Sequence, residues 1–101
     1  MKLLTAALRE KLPPLYANED KKPEDIPVIC KFFNPSGAGT WYATEFDGED
    51  TFFGYCHIHE GELGYFSLRE LEEYRTSFGL RIERDLYYRG ETLANVMLRV
   101  E

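Results

Sequence analysis

The sequence predicts an α+β domain: an antiparallel sheet of four or five strands around a central β-hairpin, with helices packed mostly on one face. Three observations predict it. Residues 41–46 and 51–55 are aromatic, β-prone runs on either side of the acidic turn Asp47-Gly48-Glu49-Asp50. Ser67 and Glu70 form a capping box ahead of Leu68, Leu71, Tyr74 and Phe78, whose three- to four-residue spacing predicts a helix closed by Gly79. Residues 26–33, 63–66 and 82–88 supply further strand-like runs.

Taken in order, the chain opens with a short helix over residues 5–12. Thr5 is its N-cap, Leu4, Leu8 and Leu12 share a stripe, and Pro13-Pro14 ends it. Leu15 and Tyr16 then read as an anchor on the core, and the polar run of residues 17–25 as a mobile surface connector. Residues 34–39 make a loop whose glycines lack the following lysine and helix of a phosphate cradle.

In the hairpin, a four-residue loop over residues 47–50 avoids setting acids opposite one another and places Phe46 across from Thr51 and Tyr42 across from Tyr55. Alternation then assigns Trp41, Ala43, Glu45, Phe52, Gly54, Cys56 and Ile58 to the core side. Tyr42, Thr44, Phe46, Thr51, Phe53, Tyr55 and His57 fall on the other side. A third strand covers residues 63–66, a further strand residues 82–88, and a closing helix residues 92–98. No repeat or second domain interrupts residues 1–101.

A net charge of −6 over 101 residues argues against direct nucleic-acid binding and against adhesion to anionic membranes, both of which need clustered Lys and Arg. Cys30 and Cys56 follow no metal or redox spacing and read as reduced, structural thiols. The apolar run at residues 3–8 is too short for a signal-peptide core or a bilayer span, so the expected location is cytoplasmic.

Three stretches carry a resemblance. They are Leu12-Pro13-Pro14-Leu15-Tyr16, the string from Trp41 to Gly54, and Leu63-Gly64-Tyr65-Phe66-Ser67-Leu68 followed by Glu70-Leu71. With Ile82-Glu83-Arg84-Asp85-Leu86-Tyr87 they make the chain resemble an uncharacterised bacterial family, a domain of unknown function carried on plasmids, prophages and integrative elements. The resemblance covers nearly the whole chain. It brings no activity, cofactor or catalytic residue, and implies a small accessory protein of mobile DNA. His57, His59 and the tail after Gly90 stand outside the pattern.

Chemically, His57 and His59 project to one side of a strand and could share a zinc ion with Glu60 or Glu62, but the set falls short of a closed tetrahedral site. A small metal-dependent hydrolase could instead use Glu45, Asp47, His57 and Asp85. A solvated turn or an acidic contact to a partner is the better account of the hairpin acids. No nucleophile elbow is present. If Glu45 points into the core it needs a partner, for which Arg84 is the candidate.

The remaining signal is an aromatic, acid-rimmed face: Tyr42, Glu45, Asp47, Glu49, Asp50, Phe53, Tyr55 and His57, with Arg84 and Asp85 nearby. It reads as a surface for a protein partner or as a second core layer under a helix. The sequence thus favours a non-enzymatic protein-interaction module with no cofactor and no resident metal, the alternatives being the hydrolase and an acidic nucleic-acid mimic.

Overall fold

The computed structural model describes residues 2–100. Its centre is a five-stranded antiparallel sheet in the order β5-β4-β3-β2-β6. The strands are β2 (Cys30–Phe33), β3 (Thr40–Phe46), β4 (Thr51–His57), β5 (Gly61–Ser67) and β6 (Glu83–Arg84). A separate pair joins β1 (Pro27–Val28) to β7 (Glu91–Thr92). The helices are α1 (Ala6–Lys11), α2 (Leu68–Glu73) and α3 (Leu93–Val100). None of the described residues forms a helix long and apolar enough to cross a membrane.

The α+β class and the central hairpin are as the sequence predicts, and Tyr42 does face Tyr55. The register nearer the tip is different. Ala43 pairs with Gly54 and Glu45 with Phe53, so Thr44 is an extra residue in β3, a β-bulge. Phe46 consequently faces Phe52 and not Thr51. One inserted residue reverses the alternation beyond it. Phe46 therefore joins the core side expected for Glu45, and Glu45 moves to the side expected for Phe46. The Thr44 hydroxyl, itself buried, donates to the Phe53 carbonyl at 3.0 Å.

Each face of the sheet carries its own core. On one, Cys30, Phe32, Ala43, Phe46 and Phe52 pack with Leu3, Leu4 and Leu12 around α1 and with Leu68 and Leu71 of α2. Phe52 stacks on Phe66 at 5.1 Å and meets Phe46 in a tilted pair at 4.5 Å. On the other face, Tyr42 and Tyr55 lie under Leu93 and Val96 of α3, with Ile26 and Val28 at the side. Two helices thus share one face and the third covers its opposite.

Local bonding explains the remaining element ends. Thr5 caps α1 by accepting from the Leu8 amide at 3.2 Å. The amides that open α2 are bonded by Ser67 Oγ (from Glu70), Asp50 Oδ1 (from Arg69) and the Asp50 carbonyl (from Leu68). The hairpin tip therefore caps the helix.

That helix stops at Glu73, short of its predicted end. Thr76 Oγ1 accepts from Phe78 and Leu80 N–H, a local turn that competes with helical bonding. Gly79, with φ of +77°, completes this turn, and Tyr74 and Phe78 are exposed. The predicted strand at 82–88 shrinks to β6. The one at 26–33 is divided because Val28 pairs with β7 and Cys30 with β3.

The bulge also fixes a glycine. A Cβ on Gly54 would overlap the Tyr42 carbonyl, whereas one on Gly64, its partner in β5, meets nothing. Gly54→Ala is expected to lower stability by about 3 kcal/mol by overpacking, and Gly64→Ala to leave it nearly unchanged. Urea midpoints of the two variants check this.

Candidate functional site

Because the bulge turns Glu45 away from the α1/α2 core, its side chain meets the loop at Tyr16 and Asn18. It is 4% exposed. Oε1 accepts the Tyr16 amide and Oε2 the Asn18 amide, each at 2.9 Å. The segment is ordered by these bonds and by a chain of turns: Ala17 N–H to Pro14, Glu19 N–H to Tyr16 and Lys21 N–H to Asn18. The Phe46 amide bonds the Pro13 carbonyl at 2.9 Å. The mobile connector expected at residues 17–25 is in fact a strapped loop at its start.

Tyr16 has φ of +72°, a left-handed conformation that costs a bulky residue of order 1–3 kcal/mol. Its ring, expected on the core, is instead 62% exposed. The Tyr16 and Tyr65 hydroxyls share a hydrogen bond, which together with desolvation holds the Tyr65 phenol above its usual value. Tyr65 also sets its ring edge-on to Phe53 at 5.1 Å.

These groups wall a cleft of about 260 Å³ that includes Tyr16, Asn18, Glu45, Phe53, Leu63 and Tyr65. Asn18 is 6% exposed, and its Nδ2 has no hydrogen-bond partner. A buried donor without an acceptor is costly in an ordinary interior. Here the donor belongs to a residue that lines the cleft.

The predicted site residues do not form one surface. Tyr42 and Tyr55 are buried under α3, which corrects the expectation of an outward aromatic face. Glu45 is held by backbone amides and not by Arg84. The Arg84 guanidinium instead donates to the Lys2 and Leu3 carbonyls, tying down the chain before α1.

Asp47 and Asp50 are structural caps. Asp47 Oδ1 accepts from Glu49, Asp50 and Thr51 N–H, and Asp50 Oδ2 from Ser67 Oγ. Glu49 is exposed at the tip. His57 lies at the far end of β4, level with Thr40 and Gly61. Asp85 follows β6 on the opposite edge, paired with Lys31 at 3.6 Å. The hydrolase set of Glu45, Asp47, His57 and Asp85 is therefore dispersed. Among the described residues no group of three or more His, Cys, Asp or Glu could hold a metal ion.

Only Glu45 and Phe53 of the predicted surface line the cleft. Tyr16, Asn18, Leu63 and Tyr65 join them from loops and an edge strand that the sequence does not bring together. The one signal for them was an acid in an aromatic strand that needed donors. Both cysteines are free, and burial pushes Cys30 up to about 12 and Cys56 up to about 11, as structural thiols require.

Residues 3–100 match the family model described as protein of unknown function (DUF2958), and the chain belongs to that family. No curated protein and no solved structure matches it.

Removing the carboxylate leaves two amides without an acceptor, so Glu45→Ala is expected to cost about 2–4 kcal/mol in urea unfolding. Hydrogen bonds lower both tip acids: Asp47 chiefly through the Glu49 and Asp50 amides, Asp50 through Ser67 and the Arg69 amide. A folded-state value below the unfolded one stabilises above the ordinary carboxylate range, about pH 4. That contribution is lost as pH falls through the lowered values. Asp50→Asn should accordingly flatten the acid limb of a stability-against-pH curve.

Proposed function

We propose that this chain is a non-enzymatic protein-interaction module that docks its partner at the Tyr16–Tyr65 cleft and along β5. The observation that carries this reading is an exposed apolar rim around a preformed cleft. Tyr16, Leu63 and Tyr65 are each about half exposed or more, and they surround the unpaired Asn18 donor. Interfaces concentrate such aromatic anchors at a pocket within a polar surround.

The position in the fold adds to this. Leu63 and Tyr65 lie on β5, an edge strand seven residues long. An edge of that length is a template for an added strand from another chain. Tyr16 is held in a strained backbone conformation by Glu45, and strain of that kind collects at functional positions.

The acid-mimic alternative loses support because Glu45, Asp47, Asp50, Asp85 and Glu91 are engaged within the molecule. An accessory or anti-defence role on a mobile element, which the resemblance implies, suits a small module that acts by occupying a partner.

Replacing the rim tests the reading. In affinity capture from a bacterial lysate, Leu63→Ser/Tyr65→Ser and Tyr16→Gly are each expected to lose the protein that the wild type recovers. Tyr16→Gly relieves the left-handed strain, so it should remain within about 1 kcal/mol of wild-type stability. Equal recovery by these variants would remove the cleft from the account.

A further inference from the structure

Inside the same cleft, the Glu45 carboxylate stands out for what it lacks. Each oxygen accepts one backbone amide, although a carboxylate offers about four acceptor positions. Neither ion pair found among the described residues involves Glu45: Lys31 pairs with Asp85 and Arg99 with Glu91. Lys21 lines the cleft without forming an ion pair with Glu45. A carboxylate in a partly buried site attracts a cation more strongly than one in bulk water does.

The walls suit the same charge. The negative faces of aromatic rings attract an ammonium or guanidinium group, and Phe53, Tyr65 and Tyr16 line this cleft. The long-range field agrees, because a net charge of −6 draws basic partners. The Asn18 amide adds a second demand, an acceptor such as a peptide carbonyl. A basic residue within a polypeptide supplies both groups.

We infer that the cleft takes the side chain of a lysine or arginine from a basic segment of the protein partner, its charge against Glu45 and the aromatic walls and a backbone carbonyl on Asn18. This rests on the docking reading above and gives it a chemical class.

The test is an NMR titration of the full chain at low salt with the N-acetyl methylamides of lysine, arginine, norleucine and glutamate. The basic probes are expected to shift the Asn18 carboxamide and the Phe53 and Tyr65 ring signals saturably. Their binding should exceed that of norleucine by about fivefold or more and weaken as salt is added. Tyr65→Leu, which keeps an apolar wall and Glu45 but removes one aromatic face, should reduce that preference, so the test does not depend on a Glu45 variant that loosens the loop.

Norleucine binding as tightly as lysine and arginine would overturn the cation assignment and leave the docking cleft intact. Preference for glutamate would do the same. If no probe moves the cleft signals, the assignment falls; the docking reading falls with it only if the rim variants also recover the partner normally.

Discussion

Two hydrogen bonds, from the Tyr16 and Asn18 backbone amides to the Glu45 carboxylate, fix one wall of the cleft to the sheet. They connect a loop to a strand 27 and 29 residues away. Without them residues 15–21 keep only their own short turns and the bond between the Tyr16 and Tyr65 hydroxyls. With them the loop becomes one wall of a cleft, Tyr16 is kept in a conformation it would not choose, and Asn18 is buried with its side-chain Nδ2 unpaired. A bond between a charged acceptor and a backbone donor is among the stronger kinds, which lets two of them offset the local strain.

The bonds exist because β3 carries one residue too many. The bulge at Thr44 swings Glu45 from the side packed by α1 and α2 to the side where the loop passes. It is accommodated by Gly54, where the bulged strand comes too close for a Cβ, and stabilised by the Thr44 hydroxyl. Beyond the bulge Phe46 enters the main core against Phe52. The same irregularity thus completes the core and places the acid.

Much of the fold was legible in the residues because it follows from local pattern. Thr5 and Ser67 announce helix starts, and the turn at 47–50 announces a hairpin. The pairing of Tyr42 with Tyr55 matches the expectation only because the bulge at Thr44 offsets a loop one residue longer than the four expected. The bulge was not legible: nothing in Ala43-Thr44-Glu45 distinguishes an extra residue from an ordinary alternation, and one residue of slip reverses every side chain after it. The early end of α2 was hidden for a related reason, since Tyr74 and Phe78 keep a helical spacing while Thr76 diverts the backbone. The cleft itself depends on contacts between distant segments, so Leu63 and Tyr65 read only as strand residues. The need of Glu45 for a partner was visible, but not that backbone amides would meet it.

The family is one of unknown function, so the account stands on the Glu45 arrangement. Amide hydrogen exchange of the unmodified protein tests it most directly. The account predicts that the Tyr16 and Asn18 amides are protected to the same degree as the amides of β3 and β4, because they open only when the hairpin does. Exchange of both at the rate of an exposed loop, such as that of Ser36 or Ser77, would contradict it.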